Sequence, residues 1–112
     1  MSETYKILAQ VSPAATTNTT LYTVPTTGTK GQIASSVLQI CNTTAGAITI
    51  RVFCVPSGSS AAQTNALIYG RSMAANTEDS TLKGMTLRSG DSIVVYASAV
   101  NMVFTLFGAL IN

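Results

Sequence analysis

The sequence predicts an all-β fold, a β-sandwich of jelly-roll or immunoglobulin-like type with about eight strands. Three observations carry that expectation. Short runs of β-branched, aromatic and aliphatic residues recur along the chain, separated by Gly, Pro, Asn, Asp, Ser and Thr. Within the runs, side chains alternate with the period of two that marks a strand, and no stretch makes a convincing three-turn helix. At 112 residues the chain has room for one core, so residues 1–112 are read as a single sandwich domain.

The first strand, 4–11, stops short of Pro13, and the second, 20–24, ends at Pro25, where a missing backbone donor is tolerable. A Thr- and Gly-rich stretch leads into the third, 32–42. Asn42-Thr43-Thr44-Ala45-Gly46-Ala47 has the composition of a hairpin loop, which predicts that 32–42 pairs with the fourth strand, 47–56. In that strand Ile48, Ile50, Val52 and Cys54 share one face and Thr49, Arg51, Phe53 and Val55 the other. The second face is mixed. It suits a subunit contact, or an arginine lying along Phe53 in solvent. Ser57-Gly58-Ser59-Ser60 reads as a flexible linker before 65–71. A strand over 79–88 breaks at Gly84, and Arg88-Ser89-Gly90-Asp91 turns the chain into 92–98. The last strand, 102–111, follows a turn at Ala99-Val100-Asn101.

Residues 93–111 run without a charge for nearly the length of a membrane span. Ser98, Asn101 and Thr105 interrupt the run, and period-two alternation fits it better, so two strands are expected here and no membrane anchor. The hairpin register places Cys41 opposite Ile48 and Cys54 opposite Ser35, about 20 Å apart. A disulfide requires Cα atoms within about 7 Å, so both thiols are expected to be free.

Composition narrows the function. Six Lys and Arg oppose four Asp and Glu, and charged residues make up only 9% of the chain. The cations are scattered, with no basic run, which argues against a nucleic-acid partner. Thr and Ser clusters supply uncharged polar cover, as suits a protein that works docked in an assembly. The opening residues carry an acidic group and no long apolar run, so no secretory signal is expected. The acceptor patterns at Asn18 and Asn42 are therefore discounted as glycosylation sites.

Catalysis finds few candidates. There is no His, which removes the commonest general base and metal ligand. Glu78 and Asp79, if extended, point to opposite sides. Asp91 suits a turn cap. Two distant thiols without imidazole do not complete a zinc site. The expectation is a protein that is not an enzyme, with no catalytic residues, no metal and no cofactor.

Six segments carry a resemblance: Tyr5-Lys6-Ile7-Leu8-Ala9-Gln10, Pro13-Ala14-Ala15-Thr16-Thr17, Leu21-Tyr22-Thr23-Val24-Pro25, Ile40-Cys41-Asn42, Asp91-Ser92-Ile93-Val94-Val95-Tyr96-Ala97 and Phe104-Thr105-Leu106-Phe107-Gly108. In order and spacing the chain resembles small virion structural proteins of tailed bacteriophages, similar to head decoration (cement) proteins and to small domains of tail parts. The charge-poor stretch Ala61 to Ala75 departs from that pattern. The resemblance implies a β-sandwich folded in the bacterial host cytoplasm and carried in the virion. Its partners would be the major capsid protein or other virion subunits, in a homo-oligomer that is a trimer first and a dimer second. Two roles stay open: a subunit that clamps the outside of the head, and a binding module of the tail, baseplate or fibre. The expected subunit contacts lie in two segments able to reach a neighbour or pair at a sheet edge, namely Tyr5, Lys6, Ile7 and Leu8, and Phe107 to Leu110.

Overall fold

Alternation within the strand runs builds two faces, and the computed structural model packs the apolar ones together. It describes residues 3–25, 32–80 and 82–111. The strands are β1 (Glu3–Val11), β2 (Thr19–Thr23), β3 (Gln32–Asn42), β4 (Ile48–Val55), β5 (Ala66–Met73), β6 (Glu78–Asp79), β7 (Lys83–Arg88), β8 (Ser92–Ala97) and β9 (Met102–Ile111), with one 3-10 turn at Gln63–Asn65. Among the described residues no helix is long and apolar enough to cross a membrane. The charge-free stretch 93–111 is divided between β8 and β9.

One sheet has the order β1-β9-β3-β6, with β7 also on β3, and the other has the order β2-β8-β4-β5. With β6 and β7 sharing one position, the antiparallel pairs β1·β9, β2·β8, β3·β6/β7 and β4·β5 form one long ribbon folded on itself. Rolling that ribbon brings β3 against β9 and β4 against β8, which closes the two sheets. That is the jelly roll, one of the two sandwich types the sequence predicts.

The core lies between the sheets. Leu38, Ile40, Phe104 and Leu106 from one face Ile50, Val52, Ile93 and Val95 from the other, all at most 1% exposed. Each such side chain contributes about 1.5–3 kcal/mol by leaving water.

The rolled ribbon overturns the expected hairpin at 42–47. β3 and β4 lie in different sheets, and residues 43–47 carry the chain across the core edge. Asn42 explains why. Its buried side-chain amide donates to Gly46 O (2.9 Å), Met73 O (3.1 Å) and Ala74 O (3.1 Å), while its Oδ1 accepts from the backbone N–H (3.0 Å) and hydroxyl (2.8 Å) of Thr44. This clasp ties the crossing to the end of β5, where a hairpin would have turned back. The register argument for the cysteines falls with the hairpin. Cys41 stands in β3 and Cys54 in β4, on opposite sheets, and both are free. Ala99-Val100-Asn101 likewise joins strands of different sheets, with Asn101 at a φ of 69°.

Two further differences are local. The break expected at Gly84 falls between β6 and β7, and Gly84, at a φ of 71°, sits where the β3·β7 register shifts. A glycine tolerates the bulge there at no steric cost. Residues 57–60, expected to be a loose linker, are bonded into the fold: Ser57 N–H donates to Asp91 Oδ1 (2.9 Å) and Ser59 N–H to Pro56 O (3.0 Å).

Candidate functional site

The two segments that the sequence proposes as contacts, distant in the chain, are neighbours in the fold. β1 pairs with β9, which sets Lys6 opposite Gly108 and Ile7 opposite Phe107. Residues directly opposite in an antiparallel pair share a face, so Ile7 and Phe107 stand side by side. They point away from the core, 53% and 40% exposed. The row continues through half-buried Val37 of β3, opposite Phe107, to exposed Lys83 of β7, opposite Val37. The next row is polar: Gln10, Thr105 and Gln39, with Gln10 Nε2 donating to Thr105 Oγ1 (3.2 Å).

The remaining proposed residues divide differently. Lys6 is exposed, whereas Leu8 and Leu110 are half-buried and pack against the core. Leu8 falls where the β1·β9 register shifts, so it leaves the outer row to Ile7. The side chain of Tyr5 lies outside the described residues. β1 is a sheet edge, but β9 is paired on both sides by β1 and β3. Phe107 therefore has only its ring to present at this surface, its strand being paired on both sides. Gly108 keeps the strands close, since a Cβ there would stand 3.2 Å from Leu8 Cδ1 and from Ser36 Cα.

A second surface lies on the outer face of the other sheet, as the alternation in β4 predicts. Phe53 and Val55 are buried there, packing with Val94, Ala61 and Ala66. Arg51 does not lie along Phe53. The register puts it opposite Tyr69 of β5 and Tyr96 of β8, and its guanidinium carbon stands 4.5 Å from the centroid of each ring. Each such contact is worth about 0.5–2 kcal/mol, more as water is excluded. Tyr69 also meets Phe53 edge-on, at a centroid distance of 6.3 Å. The sequence reading missed both tyrosines, because only strand pairing brings them to Arg51. Beside this row, Asn18, Thr20, Ser59, Ser60 and Ser92 ring a hollow of about 390 Å³ with Val55, Ala61 and Val94.

Among the described residues, the side chains of Glu78, Asp79 and Asp91 are engaged in holding the fold. Exposed Glu78 accepts from Gln39 Nε2 (3.3 Å). Asp79, on the opposite side of β6, is buried and ion-paired with Arg71 of β5, tying the edges of the two sheets. Asp91 caps its turn, with Oδ2 accepting from the Arg88 N–H (3.1 Å). Among the described residues no three His, Cys, Asp or Glu gather as metal ligands. Burial, and secondarily the charge of Asp91, push the Cys54 thiol pKa up, which disfavours its reactive thiolate.

No protein-family model matches the chain, and no curated protein matches it. Solved structures to which the chain is similar include two of infectious bursal disease virus. A chain in the structure of infectious bursal disease virus, strain Gx, has a TM-score of 0.50 and 13% identity, over 97% of this chain and 31% of that one. A chain in the crystal structure of the T13 infectious bursal disease virus particle has a TM-score of 0.49 and 8% identity, over 97% of this chain and 29% of that one. This protein thus spans less than a third of either viral chain.

Proposed function

We propose that the protein is a virion structural subunit, a decoration protein of a tailed-phage head that docks on the outside of the assembled shell and stabilises it. The observation that carries this reading is the exposed Ile7–Phe107 pair beside the β1 edge, an apolar contact set on a rigid sheet. The resemblance to decoration proteins supports it, as does a jelly roll similar in fold to a chain of a virus structure over 97% of its length. The protein would act without catalysis and without a cofactor, possibilities for which the engaged carboxylates leave little material. Its partners are the major capsid protein and further copies of itself, as trimers on the pattern of the resembled family.

The mechanism is mass action. A shell under internal pressure fails when capsomers part, and a subunit touching two or three of them must first be detached. Binding only the assembled state favours it by roughly 3–4 kcal/mol per site when free protein stands at about 100 to 1,000 times its dissociation constant. Heads made without the protein are expected to release DNA at lower temperature, and purified protein should restore them. Equal robustness with and without it would end this reading.

A second reading, a tail, baseplate or fibre module, is favoured by the hollow ringed by Asn18, Thr20, Ser59, Ser60 and Ser92, whose uncharged hydroxyls and amide suit a neutral glycan. Co-purification with tails alone would select it.

A further inference from the structure

The cross-strand row Tyr69–Arg51–Tyr96 holds a cation whose donors are unused. Arg51 Nε is buried and has no hydrogen-bond partner among the described residues. The terminal nitrogens are not among the buried unpartnered atoms, and among the described residues no hydrogen bond or ion pair engages them, so they reach solvent. The two rings, from strands on either side of β4, flank the guanidinium and hold it in place while its terminal nitrogens stay open to a ligand. A planar fork of donors held in this way matches a carboxylate better than a lone ammonium would. Next to it the edge strand β5 exposes Tyr69 (49%) and Leu67 (45%). Arginine and tyrosine around an apolar side chain are the composition of an interface centre.

From this geometry we propose that the outer face of the β2-β8-β4-β5 sheet is a second docking surface, at which Arg51 takes a carboxylate from an acidic segment of a neighbouring virion subunit while Tyr69 and Leu67 take its apolar side chains. The identification of the neighbour as a virion subunit rests on the function proposed above. The ligand is a carboxylate of another protein, because this chain has few to offer a second copy. Of its four acidic residues three are engaged, Asp79 by Arg71, Asp91 by two backbone N–H groups and Glu78 by Gln39, and the fourth, Glu3, opens β1 in the other sheet. A nucleic acid would need further cations in the row, and the flanking positions are tyrosines.

The test is an NMR titration of ¹⁵N-labelled protein, following the Arg51 Nε–H signal, with a blocked peptide of alternating Val and Glu. The same peptide with Gln for Glu, and inorganic phosphate, serve as controls. A saturable shift at millimolar Val-Glu peptide is expected, weakened about tenfold or more with Gln or in Arg51→Gln. Tyr69→Ala removes a half-exposed ring and leaves the fold intact, so it provides a second variant, expected to weaken binding as well. No saturable shift, an equal response to the Gln peptide, or tighter binding of phosphate would overturn the proposal. So would Arg51→Gln protein binding heads as tightly as the native chain. If native protein fails to bind heads at all, the virion reading fails, and the titration still decides whether Arg51 takes a carboxylate.

Discussion

Replacing Asn42 by Asp is expected to lower stability by about 3–5 kcal/mol, a large fraction of the roughly 5–15 kcal/mol a domain possesses. Three carbonyl oxygens, of Gly46, Met73 and Ala74, point at the amide nitrogen of this buried residue. A carboxylate there offers no donor and sets a negative charge against three partial negative ones. Asn42→Leu should cost a similar amount for a different reason. It keeps the volume but takes the side-chain partner from Met73 O and the Thr44 N–H, while the Thr44 and Thr77 hydroxyls still serve Gly46 O and Ala74 O, at about 1–3 kcal/mol for each group that water cannot reach. The two variants separate in acid. Protonated Asp regains one donor, so its deficit should shrink as pH falls toward about 4, whereas that of Leu should not. Urea unfolding at two pH values measures this. A loss below about 1 kcal/mol for both would mean that the clasp does not hold the crossing between sheets.

The second large effect contrasts two phenylalanines three positions apart on β9. Phe104 is fully buried between the sheets, while Phe107 is 40% exposed on the opposite face. Phe104→Ala is expected to cost about 3–5 kcal/mol, because the cavity it leaves is walled by both sheets and cannot collapse. Phe107→Ala should change stability by about 0.5 kcal/mol or less. Thermal unfolding checks both. Similar losses at the two positions would contradict the assignment of the faces.

Those faces were legible in the sequence because alternation reports which side of a strand is wet. Phe104 and Leu106 read against Thr105 and Phe107 without any knowledge of partners, and the strand runs fall within a few residues of their predicted places. Pairing was less legible. Alternation gives a strand two faces but does not say which strand lies beside it, and a loop that can reverse the chain can also span the roughly 10 Å between packed sheets. Asn42 has the composition of a turn residue, and its clasp depends on Met73 and Ala74, which only the fold brings near. Arg51 stood out as a cation among aliphatic residues. Its tyrosines did not, since they come from β5 and β8 through register alone. In the sequence the two contact segments stand out separately, each for its reach. That Ile7 and Phe107 meet in one exposed pair follows from the β1·β9 register.

That pair is the surface we propose to join the protein to an assembled particle. The most direct measurement is sedimentation of purified protein with heads prepared without it, comparing the native chain with Ile7→Asp and Phe107→Asp. Both substitutions lie on the solvent face, so melting temperatures should stay near native. The native protein is predicted to saturate the heads at a fixed number per shell, and each aspartate variant to bind about tenfold more weakly or worse, as burying an unpaired carboxylate in an apolar contact requires. Equal binding by folded native and variant proteins, or native protein that sediments only with tails, would contradict it.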